Sequence, residues 1–257
     1  MIKTKVIGRV FRQDEIADQI YDMWIETELA QGARPGQFVC VYTKNAAALL
    51  PRPISICEVN EEKTMLRLVY RTVGTGTNEF AAYHAGTEIS LLGPLGNGFP
   101  VEKAAGKRVF LIGGGIGIPP MLQLSKEIKK AGQAYCELSV LGYRNELFLN
   151  TDLEKYSQVY VATEDGSAGT KGTVLDAIKE KGLSGDVIFA CGPMPMLRAV
   201  KEYAAANNME AYISLEEHMA CGVGACLGCV CKTKNVDAHS HVHNSRICTD
   251  GPVYNAE

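Results

Sequence analysis

The sequence predicts a multidomain protein made of an antiparallel β region, a doubly wound α/β domain and a small cysteine-rich module. Short β segments punctuated by Gly, Pro and Asn fill residues 1–99, a spacing typical of an antiparallel barrel or sandwich. Strands and amphipathic helices alternate through residues 100–210, which indicates parallel βαβ units. In residues 211–257 this alternation stops, and five of the nine cysteines crowd between Cys221 and Cys248.

Composition narrows the class of protein. The chain has 257 residues, of which 46% are apolar, so it can bury a core without a disulfide scaffold. The formal net charge is −3 and no long basic block occurs, which argues against a nucleic-acid partner. No apolar run approaches the roughly 20 residues of a membrane span, and the first residues lack the apolar core of a signal peptide. We therefore expect a cytoplasmic protein.

Three helices are predicted in enough detail to be tested. One runs from Asn78 to His84 with Thr77 as its N-cap, because a threonine hydroxyl can accept a bond from a free backbone N–H. The second, PPMLQLSKEIKKAG, ends at Gly132. The third runs from Thr173 to Lys181. The second and third follow β segments of the α/β region.

The cysteines follow a spacing that indicates a redox cluster. Cys221-x4-Cys226-x2-Cys229, followed at a distance by Cys248, matches the plant-type order of 2Fe–2S ligands. A loop that wraps three thiolates around two irons must bend sharply, and we expect Gly222, Gly224 and Gly228 to supply positive φ angles. Backbone N–H groups of such a loop can also point at the sulfurs.

Other interpretations of this cluster stay open. Four cysteines can also hold a structural zinc ion, although zinc sites usually use two paired knuckles, and a coincidental group of buried thiols is a further alternative. Cys231 is a spare thiol that could replace one of the four only by breaking the spacing. The alternating His239, His241 and His243 are interpreted as a solvated loop.

Two glycine-containing turns follow predicted strands and are candidates for nucleotide binding. Gly113-Gly114-Gly115-Ile116-Gly117 precedes a helix, where glycines let a pyrophosphate approach the backbone. A tight βα turn would explain this segment nearly as well, because it fits the dinucleotide fingerprint only loosely. Cys191-Gly192-Pro193 ends another strand, and a plain turn before a helix with proline in its first turn is the alternative. Both would lie at the carboxyl edge of one sheet.

Two arginine motifs lie in the β region. Arg52-Pro53-Ile54-Ser55 offers a guanidinium for a phosphate and a hydroxyl for a ring nitrogen. Val69-Tyr70-Arg71 precedes GTGT and a predicted helix, an arrangement suited to phosphate binding. Either arginine taken alone would be interpreted as a surface charge.

In their order along the chain, RPIS, GTGT, GGGIGIPP and CGP resemble the ferredoxin–NADP reductase superfamily, in which a barrel holds FAD and an α/β domain holds a nicotinamide nucleotide. With CGVGACLGCVCK and CTDGPV added, essentially the whole chain resembles the electron transfer subunits of type B dihydroorotate dehydrogenase. This resemblance implies FAD bound by residues 1–99, NAD by residues 100–210 and a 2Fe–2S cluster by residues 211–257.

The resemblance also implies which residues bind each cofactor. The flavin would be lined by Arg52, Pro53, Ile54, Ser55, Val69, Tyr70 and Arg71, with its pyrophosphate at Gly76 and Thr77. NAD would be bordered by Gly113, Gly114, Gly115, Gly117, Cys191, Gly192 and Pro193. The cluster would be held by Cys221, Cys226, Cys229 and Cys248.

The implied activity is electron transfer in pyrimidine biosynthesis. Electrons would come from an FMN-containing dihydroorotate dehydrogenase catalytic subunit, in a heterotetramer of two copies of each chain, and pass through the cluster and FAD to NAD+. No catalytic acid or base is expected in this chain, because a flavin connects one-electron and two-electron carriers without one. The alternatives are a reductase subunit of a related complex, such as a ferredoxin:NADP oxidoreductase or a sulfide dehydrogenase, and a zinc-binding interaction module. NAD rather than NADP rests on the resemblance, since Arg144 after the second α/β strand could meet a 2′-phosphate.

Overall fold

The N-terminal part of the chain folds into a closed antiparallel barrel of six strands. The computed structural model describes residues 5–234, 236–237 and 241–257. The barrel strands are β1 (Lys5–Ala17), β2 (Ile20–Glu26), β3 (Phe38–Tyr42), β4 (Arg52–Val59), β5 (Met65–Arg71) and β6 (Glu88–Leu95). They close in the order β1-β2-β5-β4-β3-β6. Ile25, Leu66, Leu68 and Leu91 fill the interior with at most 1% of their surface exposed, so apolar burial holds the barrel together.

The next part of the chain forms a doubly wound sheet with helices. The first helix of the chain, α1 (Thr75–Ala81), lies between β5 and β6 of the barrel. The elements of the doubly wound sheet are β7 (Arg108–Gly114), α2 (Pro119–Ala131), β8 (Cys136–Tyr143), α3 (Asn150–Leu153), β9 (Gln158–Thr163), β10 (Thr170–Lys171), α4 (Val174–Glu180), β11 (Val187–Cys191), α5 (Met194–Ala206) and β12 (Glu210–Ser214). The sheet order is β10-β9-β8-β7-β11-β12, with the terminal strand β15 (Val253–Asn255) beside β12. The registers of β7 with β8 and with β11 are parallel. The residues of β7 after Arg108 are buried, as expected for a central strand covered on both faces.

The cysteine-rich segment belongs to the same compact unit as the barrel. Gln19–Gly98 and Leu215–Val253 group together, whereas Phe99–Ser214 forms the second unit with Tyr254–Glu257. Within the cysteine-rich segment, β13 (Val230–Lys232) pairs antiparallel with β14 (Asn244–Arg246). Among the described residues, no helix is long and apolar enough to cross a membrane. The predicted order of barrel, α/β domain and cysteine-rich module is confirmed.

Two predicted helices are confirmed almost to the residue. Gly132 ends α2 in the left-handed conformation, with φ 63°, which a glycine adopts without steric cost. Thr173 caps α4 by accepting a bond from the Asp176 N–H, and Asp176 accepts a bond from the Thr173 N–H in return. This reciprocal capping box is visible in the sequence because both partners lie within one turn.

Both predicted bounds of the first helix are wrong. The helix begins at Thr75 with Gly74 as its N-cap, so Thr77 lies inside the first turn, and it ends at Ala81 rather than at His84. The Thr77 hydroxyl accepts bonds from the N–H groups of Val73, at 2.9 Å, and Gly74, at 3.2 Å. Thr77 therefore stabilises the start of the helix from within the first turn. In the sequence, a threonine in this role cannot be told from a threonine N-cap.

Candidate functional site

The first thiol of the cysteine loop is surrounded by backbone donors. The N–H groups of Val223, Ala225 and Cys226 point at the Cys221 Sγ atom, at 3.4, 3.3 and 3.4 Å. Burial raises the pKa of this thiol, but these donors together with the Cys226 side chain outweigh it and lower the pKa to about 6. Hydrogen bonds favour the charged thiolate. The loop is therefore built to hold a negatively charged sulfur, as the sequence predicted.

The four thiols form two pairs. Cys221 and Cys226 lie within side-chain hydrogen-bonding reach of each other, and so do Cys229 and Cys248. The Cys248 N–H donates to the Cys229 Sγ atom at 3.4 Å. Burial, the bond to Cys229 and the charge of Cys229 raise the pKa of Cys248 to about 12. The structure thus brings all four predicted ligands into one segment, arranged two by two.

This pairing can be compared with what each metal requires. Among the described residues, no three His, Cys, Asp or Glu side chains are placed to hold one metal ion. A structural zinc site needs its ligands to converge on a single ion. A 2Fe–2S cluster takes two thiolates at each of two irons. Two thiol pairs in this segment therefore supply the number of thiolates that a two-iron cluster requires.

The bend of the loop is made by a different set of residues than predicted. Gly222 and Gly224 adopt positive φ angles of 67° and 82°, but the third such residue is Leu227, with φ 59°, and not Gly228. Gly228 instead comes close to Cys226. Its N–H donates to the Cys226 Sγ atom at 3.4 Å, and a Cβ at this position would lie 3.4 Å from that sulfur. Sequence inspection missed Leu227 because a leucine gives no signal for a left-handed backbone.

The spare thiol and two of the three histidines, His241 and His243, lie in the hairpin beyond the loop. Cys231 lies in β13 opposite Ser245. The His243 ring lies 2.7 Å from the Lys234 carbonyl oxygen, and His241 is exposed with φ 55°. His239 lies outside the described residues. His241 and His243 are both exposed, which agrees with the prediction that this stretch is a solvated loop.

The predicted flavin residues lie on two neighbouring barrel strands and the helix that follows. Arg52 begins β4, which pairs with β5, and its guanidinium covers Gly76, where an added Cβ would lie 2.5 Å from the Arg52 Cζ atom. The Arg52 side chain also donates to the carbonyl groups of Ala48 and Leu50. RPIS and GTGT, separate in the sequence, are therefore brought into contact.

Not every side chain in this set faces outward. Val69 and Tyr70 are 2% and 3% exposed. The Tyr70 hydroxyl donates to the Gln13 side chain at 2.8 Å, and its ring stacks on Tyr21 at 5.9 Å. Burial, followed by the charges of Tyr21 and Tyr83, raises the pKa of Tyr70. Tyr70 is held as a neutral core residue.

The two turns predicted to bind the nucleotide pack directly against each other. Cys191 of β11 lies opposite Gly113 of β7. A Cβ at Gly117 would lie 2.5 Å from the carbonyl carbon of Cys191 and from the backbone nitrogen of Gly192. A Cβ at Gly192 would in turn lie 3.1 Å from the Gly114 backbone. The glycines are needed for this close approach of the two turns.

These turns lie at the topological switch point of the sheet. From β7 the chain passes to β8 and β9 on one side, and it returns to β11 and β12 on the other side. In open α/β sheets, ligands bind beyond the carboxyl ends of the strands where the order reverses. Gly142 lies opposite Gly114 at the same edge, and the exposed Arg144 follows it. The fold thus brings both predicted turns together at the edge of the sheet where such ligands bind.

Comparison with known proteins agrees with this architecture. Residues 111–202 match the family described as the oxidoreductase NAD-binding domain, and residues 216–257 match the iron–sulfur cluster binding domain of dihydroorotate dehydrogenase B. A solved NADH-dependent reduced ferredoxin–NADP oxidoreductase is 28% identical, covers 98% of this chain and 88% of its own, and superposes with a TM-score of 0.86. A ferredoxin NADP+ reductase from Neisseria gonorrhoeae with bound FAD and NADP shares the fold at 16% identity, covering 80% of this chain and 91% of its own, with a TM-score of 0.67.

Fold and site together define an oxidoreductase of the ferredoxin reductase type that carries an additional iron–sulfur segment. The "Dihydroorotate dehydrogenase B (NAD(+)), electron transfer subunit" of Geobacillus sp. (strain WCH70) is 42% identical, over 96% of this chain and 95% of its own length. The protein of that name from Bacillus velezensis is 44% identical, over 95% of this chain and 94% of its own length. The chain belongs to this family of electron transfer subunits.

Proposed function

We propose that this chain delivers electrons to NAD+ as the electron transfer subunit of a dihydroorotate dehydrogenase, in pyrimidine biosynthesis. The observation that carries this proposal is the cysteine segment. Its four thiols are paired two by two, and backbone N–H groups bond three of its sulfurs. It also forms one compact unit with the barrel that bears the predicted flavin residues. The names of relatives more than 40% identical over most of both chains support the same activity.

The chain's own residues provide a suitable environment for each cofactor. Cys221, Cys226, Cys229 and Cys248 would hold the cluster, and the N–H groups around them would stabilise negative charge on the sulfurs. Arg52 and Gly76, already in contact, would meet the flavin diphosphate, with Pro53, Ile54, Ser55, Val69, Tyr70, Arg71 and Thr77 around them. When bound, FAD and the cluster supply the exchange between one-electron and two-electron carriers.

For NAD we propose the crevice at the switch point. Gly113, Gly114, Gly115 and Gly117 would let the pyrophosphate approach the start of α2, whose N-terminus favours negative charge. Cys191, Gly192 and Pro193 would form the opposite wall. These residues bind and orient the nucleotide, and no acid or base from the chain is required.

The partner is proposed from the names of the relatives. An electron transfer subunit implies a catalytic subunit, and we propose an FMN-containing chain that oxidises dihydroorotate, assembled as a heterotetramer of two copies of each. We also propose that the complex is cytoplasmic. Because the catalytic oxidation takes place on the partner, this chain would bind no dihydroorotate.

The decisive experiment is to purify the chain with its partner and to measure dihydroorotate-dependent NAD+ reduction. Bound FAD, iron, acid-labile sulfide and this activity together would support the proposal. A complex that holds FAD and a cluster but shows no such activity would favour a reductase subunit of a related complex. A colourless protein that holds zinc and no flavin would instead favour a zinc-binding interaction module.

Two cysteine variants test the ligand set. Cys248→Ser should lose the visible absorbance and EPR signal of the cluster, because one iron then lacks a thiolate. The matched control, Cys231→Ser, changes a thiol two residues beyond Cys229 and should retain both signals. The reverse result would exchange the roles of Cys231 and Cys248.

A further inference from the structure

The cysteine loop rests on the barrel at a cysteine outside the proposed ligand set. Cys40 lies in β3 and is fully buried. A Cβ at Gly222, the residue after Cys221, would lie 2.7 Å from the Cys40 Sγ atom and 3.1 Å from the Leu95 Cδ1 atom. Gly222 is therefore pressed against the barrel wall. Only a residue without a side chain lets the first part of the loop lie this close.

A second contact holds the other part of the cysteine segment. Asn97, two residues after β6, donates from its side-chain amide to the carbonyl groups of Thr249 and Asp250, at 3.2 and 3.0 Å. Its backbone N–H donates to the Gly251 carbonyl at 2.6 Å. These three bonds fix the turn that directly follows Cys248. Asn97 and Thr249 are 152 positions apart in the chain.

The strand that carries Cys40 pairs directly with the strand that carries the proposed flavin residues. Cys40 lies opposite Pro53 of β4, and Val41 lies opposite Arg52, in the antiparallel ladder between β3 and β4. One side of β3 thus pairs with the strand that begins with RPIS. The Cys40 side chain meanwhile contacts the cysteine loop. The residue beneath the cysteine loop and the first residues of the proposed flavin site therefore lie on adjacent strands of one sheet.

We propose that Cys40 and Asn97 are positioning residues that fix the cluster at a set separation from the flavin. We call Cys40, Leu95 and Asn97 the barrel seat. Cys40 holds the loop of the first three cysteines and Asn97 holds the turn at Cys248, so both parts of the segment are fixed to the same wall. This inference rests on the proposed function, because it assumes a cluster in the cysteine segment and a flavin at β4.

The test uses the full chain loaded with FAD and cluster. Cys40→Ala removes the sulfur under Gly222, and Asn97→Asp replaces the amide donors with an oxygen that faces two carbonyl groups. The controls are Cys57→Ala, an equally buried cysteine in β4, and Asn60→Asp, whose amide bonds Glu62 and Thr64 within an exposed turn of the same barrel. Each control makes the same type of substitution at a residue outside the barrel seat.

Rapid mixing with NADH separates two readouts. Reduction of the cluster, followed by its visible absorbance and EPR signal, should be slowed roughly ten-fold in both seat variants, because small displacements between reacting centres are costly. NADH–ferricyanide activity, which needs only the flavin, should be unchanged. A seat variant that folds and binds FAD but holds less iron than its control also supports the inference.

Equal cluster reduction rates and equal EPR spectra in seat and control variants would overturn the inference. If Cys40→Ala does not fold, the conservative Cys40→Ser, which keeps an atom under Gly222, should show a smaller slowing than Asn97→Asp. A wild-type chain that takes up no cluster would contradict the proposed function itself. The two failures are therefore distinguishable.

Discussion

Replacing Gly117 with alanine would place a methyl group inside the neighbouring turn. Its Cβ would lie 2.5 Å from the carbonyl carbon of Cys191 and from the Gly192 nitrogen. Both atoms belong to the backbone, which cannot rotate away as the end of a side chain can. The two turns must therefore move apart, and with them the walls of the proposed NAD crevice.

The size of the effect follows from this geometry. Forcing an extra methyl group into a packed region costs about 1–3 kcal/mol. If NAD binds only when the turns are in their original arrangement, that cost appears in the dissociation constant for NADH. Each 1.4 kcal/mol corresponds to about ten-fold, so Gly117→Ala should weaken NADH binding by roughly 5- to 150-fold.

Gly114→Ala is the matched control in the same turn. Its backbone, with φ −124°, accepts any residue. Its Cβ would lie 2.6 Å from the Met196 Sδ atom, near the end of a flexible side chain, and 3.0 Å from the Pro193 Cδ atom, and none of its three nearest atoms belongs to the backbone. Gly114→Ala should therefore weaken binding less than Gly117→Ala. Calorimetric titration with NADH measures both, and thermal unfolding confirms that each variant is folded.

Equal affinities of Gly117→Ala and the wild type for NADH would refute this reasoning. That result would mean that the close approach of the two turns has no part in binding. Loss of affinity in Gly114→Ala alone would make the contact of Gly114 with Met196 and Pro193, rather than the contact of Gly117 with Cys191, the one that binding depends on. In either case the proposed crevice would need to be redrawn.

Two further predictions concern stability. The buried Arg67 guanidinium bonds Asp22 at 2.8 Å and Glu58 at 3.1 Å. Asp22→Ala should therefore lower the free energy of unfolding by about 3 kcal/mol in urea titrations, whereas Glu180→Ala, which removes an exposed ion pair, should leave it unchanged. Equal effects of the two substitutions would contradict the role of burial. Burial, partly offset by the Ser125 hydroxyl, raises the pKa of Glu137 from 4.5 to about 7. The folded state then holds this proton more tightly, so stability should fall as pH rises between about 4.5 and 7, and Glu137→Gln should reduce that fall; an unaltered pH profile would count against it.

Local sequence patterns predicted the elements whose determinants are local. The α4 helix was located to within a residue, and the structure shows that its capping box of Thr173 and Asp176 is complete within a single turn. The order of barrel, sheet and cysteine segment followed from hydrophobic periodicity and cysteine spacing. The predicted start of α1 lay too late in the chain because its N-cap, Gly74, has no side chain that would mark it in the sequence. Thr77 gives the same sequence signal whether it caps the helix or lies within it.

Long-range contacts were beyond the sequence. The contact between Gly222 and Cys40, and the bonds from Asn97 to the turn after Cys248, join residues far apart in the chain. Spacing identified Gly222 as a bend, but its closeness to the barrel depends on the tertiary fold. The contact between Arg52 and Gly76 was likewise invisible, although both residues were singled out. Sequence reasoning therefore identified most of the candidate site and left its assembly to the structure.

The division of the first unit between the two ends of the chain has a consequence for biosynthesis. The barrel emerges from the ribosome up to Gly98, but the segment that completes its unit begins only at Leu215. At about 5–20 residues per second, that delay is roughly 6–23 seconds. Throughout this interval the nascent barrel exposes the wall around Cys40 and Asn97. Because the last predicted ligand, Cys248, lies in this late segment, insertion of iron must follow synthesis of nearly the whole chain.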